Sequence, residues 1–398
     1  MEDRIVRKGR AQLKGGYTTG TCAAAAAKAA AKMLFTGEEI REVRIRVPEG
    51  TEFLLETEEI TWGKQEVSCG VRKDAGDDPD ITHGILIFAN VCIREKKETG
   101  EVAVLLEGGK GVGRITRKGL EQPVGEAAIN RVPRKMITDG VKEMAEAAGF
   151  FGVLSVEIFI PEGERLAMQT FNPRLGIKGG LSVLGTTGIV EPMSEKALTD
   201  TIYLEMKVRK NRGIDTLCIV PGNYGREFLK EHLGFDPDEA VRCSNYIGET
   251  LDMAVILGIR RLLLVGHIGK FVKIAAGVMN THSQVADTRA EVFAANLAQE
   301  AAGYLGTDPK RAEKLLAVIP DIMKGNTTDD MLETLKEAGI LKEVMDRIMK
   351  KIRWHLQERG KGNIEIEVIT FSKEWGILGK TDQAEQVLNR MKKGKKEL

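Results

Sequence analysis

RLLLVGHIGKFVKIAAG, residues 261–277, decides the class of the second half of this chain. Residues 261–265 read as a buried strand, residues 266–270 as a glycine-bearing loop, and the apolar run that follows as the start of a helix. Further strands read at 181–184, 216–220 and 364–371, with helices covering most of the intervals. Strands that alternate with long helices predict right-handed crossovers and a mostly parallel sheet. The expectation is therefore an α/β Rossmann-like domain over residues 175–398, opening just after Pro173.

Upstream of Pro173 the pattern differs. An alanine-rich helix reads at 22–35, followed by alternating runs at 43–47, 52–55, 85–93 and 102–106 that look like hairpin-forming strands. Helix returns at 133–148, with Pro133 suited to its first turn, and 153–160 reads as a buried strand. Residues 1–174 are thus expected to form an α+β domain. Two domains also suit 398 residues, too many for one ordinary core.

Composition removes several function classes. Lys and Arg total 59 against 58 Asp and Glu, so there is no global field to draw nucleic acid or an anionic membrane. Aromatic residues are 5%, too sparse for a base-stacking surface. No run approaches the roughly 18 apolar residues of a spanning helix, and residues 1–14 lack the apolar core of a signal peptide. The cysteines at 22, 69, 92, 218 and 243 are odd in number and never spaced C-x-x-C, as expected of reduced intracellular thiols. A cytoplasmic protein that binds neither membrane nor nucleic acid is expected, a homo-oligomer being left open. The lysine-rich residues 391–398 read as a solvated tail.

Three glycine loops carry the case for a small-molecule site: Gly185-Thr186-Thr187-Gly188, Pro221-Gly222-Asn223-Tyr224-Gly225 and Gly266-His267-Ile268-Gly269-Lys270. Each follows an expected parallel strand, and ligands of open α/β sheets bind outside the carboxyl ends of the strands. Tight turns alone would also demand glycine. The cofactor-binding candidates are Gly185, Thr186, Thr187, Gly188, Gly222, Asn223, Gly266 and Gly269. His267, at a strand end, is the catalytic candidate, because histidine carries protons near neutral pH. His282, beside Thr281, Ser283 and Asp287, reads as a helix-end residue.

The remaining motifs are weaker. Gly15-Gly16-Tyr17-Thr18-Thr19-Gly20-Thr21-Cys22 sets a Gly/Thr loop against the alanine helix, and a cap and an anion site stand level there. A thiol at a helix start would have a lowered pKa, but a small buried thiol is the commoner case for Cys22. Residues 107–113 spell E-x-G-x-G-x-G, yet Gly119 and Pro123 bar the helix that a nucleotide turn must open, so a hairpin strand is expected over 114–123. Asp74, Asp77, Asp78 and Asp80, followed by His83, read as a solvated acidic turn, and no metal site is expected.

Taken as strings, GYTTGTCAAAAAKAA, DAGDDPDITHG, EGGKGVGRITRKGL, AINRVPRKMI, FNPRLGIKGGLSVLGTTGIVEPMS, VPGNYG, GHIGKFVKIAAG and THSQVADTR, in that order from residue 15 to residue 289, resemble the cobalt-precorrin-5B C1-methyltransferases. GNTTD at 325–329 and ITFSKEWGILG near the end are similar to the same family. The resemblance implies methyl transfer from S-adenosylmethionine to C1 of a ring-contracted tetrapyrrole, with cobalt carried by the substrate, giving cobalt-precorrin-6A. The glycine motif of the pathway's other C-methyltransferases does not occur here. A substrate with many carboxylate arms suits Arg, Lys and helix starts. Thr18, Thr19, Thr21, Arg114, Arg174, Lys178 and Lys270 are the substrate-binding candidates, with Arg134 beside them. The alternative is a non-catalytic corrinoid-binding or carrier protein. A nucleotide-dependent oxidoreductase is disfavoured, because no G-x-G-x-x-G opens a helix after a suitable strand.

Overall fold

The computed structural model describes residues 5–8 and 11–393, so the lysine-rich end lies mostly outside the described residues. The chain forms two compact units, Met1–Glu195 and Lys196–Leu398.

The first unit is built on a five-stranded sheet in the order Glu58–Trp62, Glu66–Arg72, Leu86–Lys97, Phe151–Phe159, Val102–Gly108. Its neighbours run antiparallel except Phe151–Phe159 with Val102–Gly108, which are parallel. Helix α1 (Thr19–Thr36) packs against Glu66–Arg72, Leu86–Lys97 and helix α2 (Arg131–Ala147). It is buried on nearly every side, Lys28 and Lys32 being the interruptions up to Met33. That explains the alanine: a side chain of one carbon loses no rotamer freedom and lets strands and a second helix come close together. Gly37 ends the helix at φ 71°, a left-handed turn in which its N–H donates to the carbonyl of Met33.

The expected boundary at 174/175 falls about 20 residues early. Ile177–Lys178 pairs antiparallel with Arg114–Ile115, Gly180–Leu181 parallel with Gly111–Val112, and Ile189–Val190 antiparallel with Gly16–Tyr17. The run read as a strand at 181–184 therefore belongs to the first unit and not to the second sheet. A β-carbon on Gly180 would lie 2.2 Å from the carbonyl oxygen of Gly111, so glycine is what permits this crossing. These pairings also correct the expected hairpin at 114–123. Arg114 and Ile115 form a two-residue strand that pairs on one side with Ile177–Lys178 and on the other bridges Ala127 across a local turn, rather than pairing with the 102–106 strand, and no helix follows Gly113.

The second unit carries the mostly parallel sheet. Its strands are β1 (Thr216–Val220), β2 (Ala240–Arg242), β3 (Arg261–His267), β4 (Glu365–Ser372) and β5 (Gly376–Lys380), in the order β2-β1-β3-β4-β5. All pairs are parallel except β4 with β5. Alternate residues of β3 enter different cores: Leu262 and Leu264 join the larger one with Phe271 and Phe293, while Leu263 and Val265 join the smaller one with Phe228 and Phe371. Both faces of the strand are covered, hence its unbroken apolar run.

Candidate functional site

In the second unit the chain passes from β1 to β2 on one side and to β3 on the other, so the strand order reverses between β1 and β3. At a reversal the connecting helices leave on opposite faces and a crevice remains beyond the strand ends. Here the crevice is a cavity of about 430 Å³ lined by residues 221–225 together with His267, Gly269 and Lys270. Helices α3 (Asn223–Glu231) and α4 (Ile268–Ile274) begin at its wall.

His267 closes β3 and caps α4. Its Nδ1 accepts the N–H of Gly269 at 3.1 Å, so the proton of the neutral ring sits on Nε2. Burial lowers its pKa and Lys373 adds to that, while Asp329 opposes both. The ring meets Tyr224 at 5.9 Å and the edge of Phe371 at 5.7 Å. Tyr224 is half exposed and carries the Lys373 ammonium 3.9 Å from its ring centre.

Lys270 reaches from α4 across the strand ends. Its Nζ donates to Asn245 Oδ1 at 2.8 Å and to the carbonyl of Pro221 at 3.4 Å, and burial lowers its pKa. Asp329 lies at the start of helix α5 (Thr328–Glu337), where it accepts the hydroxyl of Ser372 at 2.5 Å. A capping box fixes that start: Thr327 Oγ1 accepts the N–H of Asp330 at 3.1 Å and the Asp330 carboxylate accepts the N–H of Thr327 at 2.9 Å. The GNTTD and ITFSKEW strings thus deliver a carboxylate and a cation to the neighbourhood of His267.

The structure therefore brings Gly222, Asn223, His267, Gly269 and Lys270 to one cavity. It does not bring the rest of the expected cofactor set there. Gly266 lies inside β3, where a β-carbon would stand 2.4 Å from the Phe271 ring, so it is a packing glycine. Gly185, Thr186, Thr187 and Gly188 belong to the first unit, where their loop closes over the start of α1. The expected convergence of three loops is a convergence of two.

At the start of α1 the cap prevails over the anion site. Thr18, Thr19 and Thr21 are all buried. Thr18 Oγ1 accepts the N–H of Thr21 at 3.2 Å, Thr19 Oγ1 accepts the N–H of Leu184 at 2.9 Å, and Thr21 Oγ1 donates to the carbonyl of Gly188 at 2.7 Å. The N–H of Gly20 donates to the carbonyl of Leu184 at 3.0 Å. These groups are turned to the chain's own backbone. Cys22 behind them has its pKa pushed up to about 12 by burial, the opposite of an activated thiol.

Arg114 and Lys178 are register partners on adjacent short strands, and both are solvent-accessible. Arg114 donates to Glu107 Oε1 and to the carbonyl of Gly108, each at 2.8 Å. Arg174 sits nearby in the chain, its carbonyl accepting from Arg117 at 3.1 Å. Arg134 is turned to Glu126 and to the carbonyl of Ile129. In the acidic turn, buried Lys73 pairs with Asp80 at 2.5 Å and Asp74 accepts the N–H of Gly76 at 2.7 Å, so the turn organises itself. Among the described residues no group of His, Cys, Asp and Glu is arranged to hold a metal. His282 Nδ1 accepts the N–H of Gln284 at 3.1 Å, a local turn contact.

A family described as CbiD matches residues 6–192, and one described as CbiD, C-terminal domain, matches residues 280–382. A protein of Ruminiclostridium cellulolyticum named cobalt-precorrin-5B C(1)-methyltransferase is 48% identical over 94% of this chain and 92% of its own. One of the same name from Alkaliphilus metalliredigens is 41% identical over 98% of each chain. A crystal structure of the cobalamin biosynthesis protein cbiD from Archaeoglobus fulgidus is 27% identical, with a TM-score of 0.39, covering 70% of this chain and 86% of that one.

Proposed function

The chain belongs to the CbiD family, and from that membership we propose that it transfers a methyl group from S-adenosylmethionine to C1 of cobalt-precorrin-5B. The product is cobalt-precorrin-6A, an intermediate of anaerobic cobalamin biosynthesis in the cytoplasm. The relatives' shared name speaks for an enzyme and against a carrier.

The observation that carries the donor site is the cavity of about 430 Å³ at the point where the strand order reverses. Its residues suit a nucleoside joined to an amino acid. Gly222 and Gly269 bring backbone to the wall, Tyr224 offers an aromatic ring, and Lys270 offers a cation. Methyl transfer to carbon is an in-line displacement, in which the ring carbon's electron pair forms the new bond and the sulfonium's electron pair departs as a thioether. That thioether needs no proton. The protein's part is to orient the two partners and exclude water, and orientation alone can supply much of the rate. His267, neutral and donating from Nε2, contributes polarity and position. Arg114, Lys178 and Arg174 remain the proposed contacts for the tetrapyrrole's carboxylates, and their share of substrate binding should weaken with salt.

Gly222 offers a clean test. Its φ of 176° is extended and a β-carbon there would meet nothing within 4 Å, so Gly222→Val should fold normally while filling the cavity. Calorimetry of the full chain should find that this variant binds S-adenosylhomocysteine at least about tenfold more weakly than the wild type. Unchanged affinity would place the donor elsewhere.

A further inference from the structure

Among the residues lining the cavity, Lys270 is the one with a fixed charge. Its hydrogen-bond partners, the Asn245 side-chain carbonyl and the Pro221 main-chain carbonyl, are both neutral. Among the described residues no carboxylate lies within ion-pair distance; the titratable neighbours that bear on it are first the Cys243 thiol, which burial pushes up to about 12 and so keeps neutral, and then another cation, Lys273. An ammonium has three N–H donors, and two are used. A half-buried cation without a counter-ion is costly to keep, which is the state expected of a group whose counter-ion arrives with the ligand.

Asn245 is built to aim that ammonium. It follows Ser244, a non-glycine residue at φ 53°, in the connection from β2 to the helix Ile247–Ile256. The carbonyl of Asn245 accepts the N–H of Thr281 at 3.0 Å, and the Thr281 hydroxyl donates to the same Oδ1 that holds Lys270, at 3.3 Å. The side-chain oxygen is thus fixed from both sides, and a left-handed backbone residue is retained to place it.

We propose that Lys270 is the counter-ion of the α-carboxylate in the methionyl part of the methyl donor, with Asn245 as its positioning residue. The proposal rests on the reading of the cavity as the donor site. It reassigns Lys270, which the sequence had suggested for the tetrapyrrole. Size favours the donor: about 430 Å³ is near the small end for ligand pockets, closer to a nucleoside joined to an amino acid than to a macrocycle with several acidic arms.

The experiment compares two ligands that differ in one group: S-adenosylhomocysteine and the same thioether lacking the carboxyl. In calorimetry on the full chain, Lys270→Met should weaken the first about 10- to 100-fold and leave the second within about twofold of the wild type. Asn245→Leu should give the same selectivity with a smaller loss, and Lys270→Arg should recover part of the affinity. Should Lys270→Met fail to fold, the wild type serves alone. Its affinity for S-adenosylhomocysteine, relative to the carboxyl-free ligand, should fall as pH rises through a titration below the ordinary lysine range. Equal weakening of both ligands, or of neither, overturns the role of Lys270. Failure of Gly222→Val to weaken S-adenosylhomocysteine overturns the donor site itself, and with it the proposal.

Discussion

The start of α1 in the first unit and the ends of β1 and β3 in the second are made of the same materials. Each has a glycine-bearing loop, small polar side chains and a helix beginning beside them. They end in opposite states. At α1 the threonine hydroxyls and the N–H groups of Gly20 and Thr21 are satisfied by Thr18 and by a loop some 165 residues further on. At the strand ends His267 uses Nδ1 on its own helix and keeps Nε2–H, and Lys270 holds neutral carbonyls with no anion. The difference lies in where the partners come from. A glycine loop whose partners come from the chain is architecture, and one whose donors remain unspent is a site.

The sharpest way to break that contrast is Gly185→Ala. Gly185 has φ 137°, and a β-carbon would lie 2.2 Å from Thr18 Oγ1, so the substitution combines backbone strain with a clash at a buried cap. The expected loss is about 3 kcal/mol of stability, read as a shift in the denaturation midpoint. The folded fraction should keep its affinity for S-adenosylhomocysteine. A variant of normal stability that no longer binds would restore the 185–188 loop to the donor site, as the sequence alone suggested.

Thr19→Val tests the same boundary more gently. The isosteric change removes the buried Thr19 hydroxyl that accepts the Leu184 N–H at 2.9 Å and should cost about 1–3 kcal/mol of stability. Substrate and donor affinities should stay put. If substrate binding falls while stability holds, the α1 start is an anion site after all.

How much of this contrast is legible in the sequence depends on chain separation. The strand read at 261–265 and observed over Arg261–His267, and the alanine helix read at 22–35 and observed over Thr19–Thr36, are local patterns, each found within about three residues of its expected place. Pairing is not local. Nothing in GGLSVLG says that its partners are Gly111 and Val112, so its apolar run reads as a strand of the second sheet although it pairs in the first unit. Strand β2 has three residues, too few for a period, so the β2-to-helix connection that carries Asn245 leaves no pattern in the sequence. Asp329 and Lys373 lie in strings that carry no local sign of chemistry, and adjacency in space, not in sequence, gives them a bearing on His267.

His267 gives the smallest expected effect and tests whether the unspent donor at the strand ends works by position. A group that moved a proton in the rate-limiting step would contribute about 100-fold to 10,000-fold. The displacement releases a thioether that needs no proton, and Nδ1 is committed to the N–H of Gly269 at 3.1 Å. His267→Asn keeps a hydrogen-bonding side chain at the cavity and should lower single-turnover methylation by less than that range. Burial holds the folded pKa below the ordinary histidine value, so the neutral ring persists into mildly acidic solution. The sign for stability follows: the unfolded chain takes up the proton first, so the wild type loses stability relative to His267→Asn as pH falls from the ordinary histidine pKa through the lowered one. Above that window the two should not diverge further with pH. A larger rate loss, with a histidine-like inflection in the wild-type profile that vanishes in the variant, would make His267 the base, and the strand-end cavity would then act by proton transfer as well as by orientation.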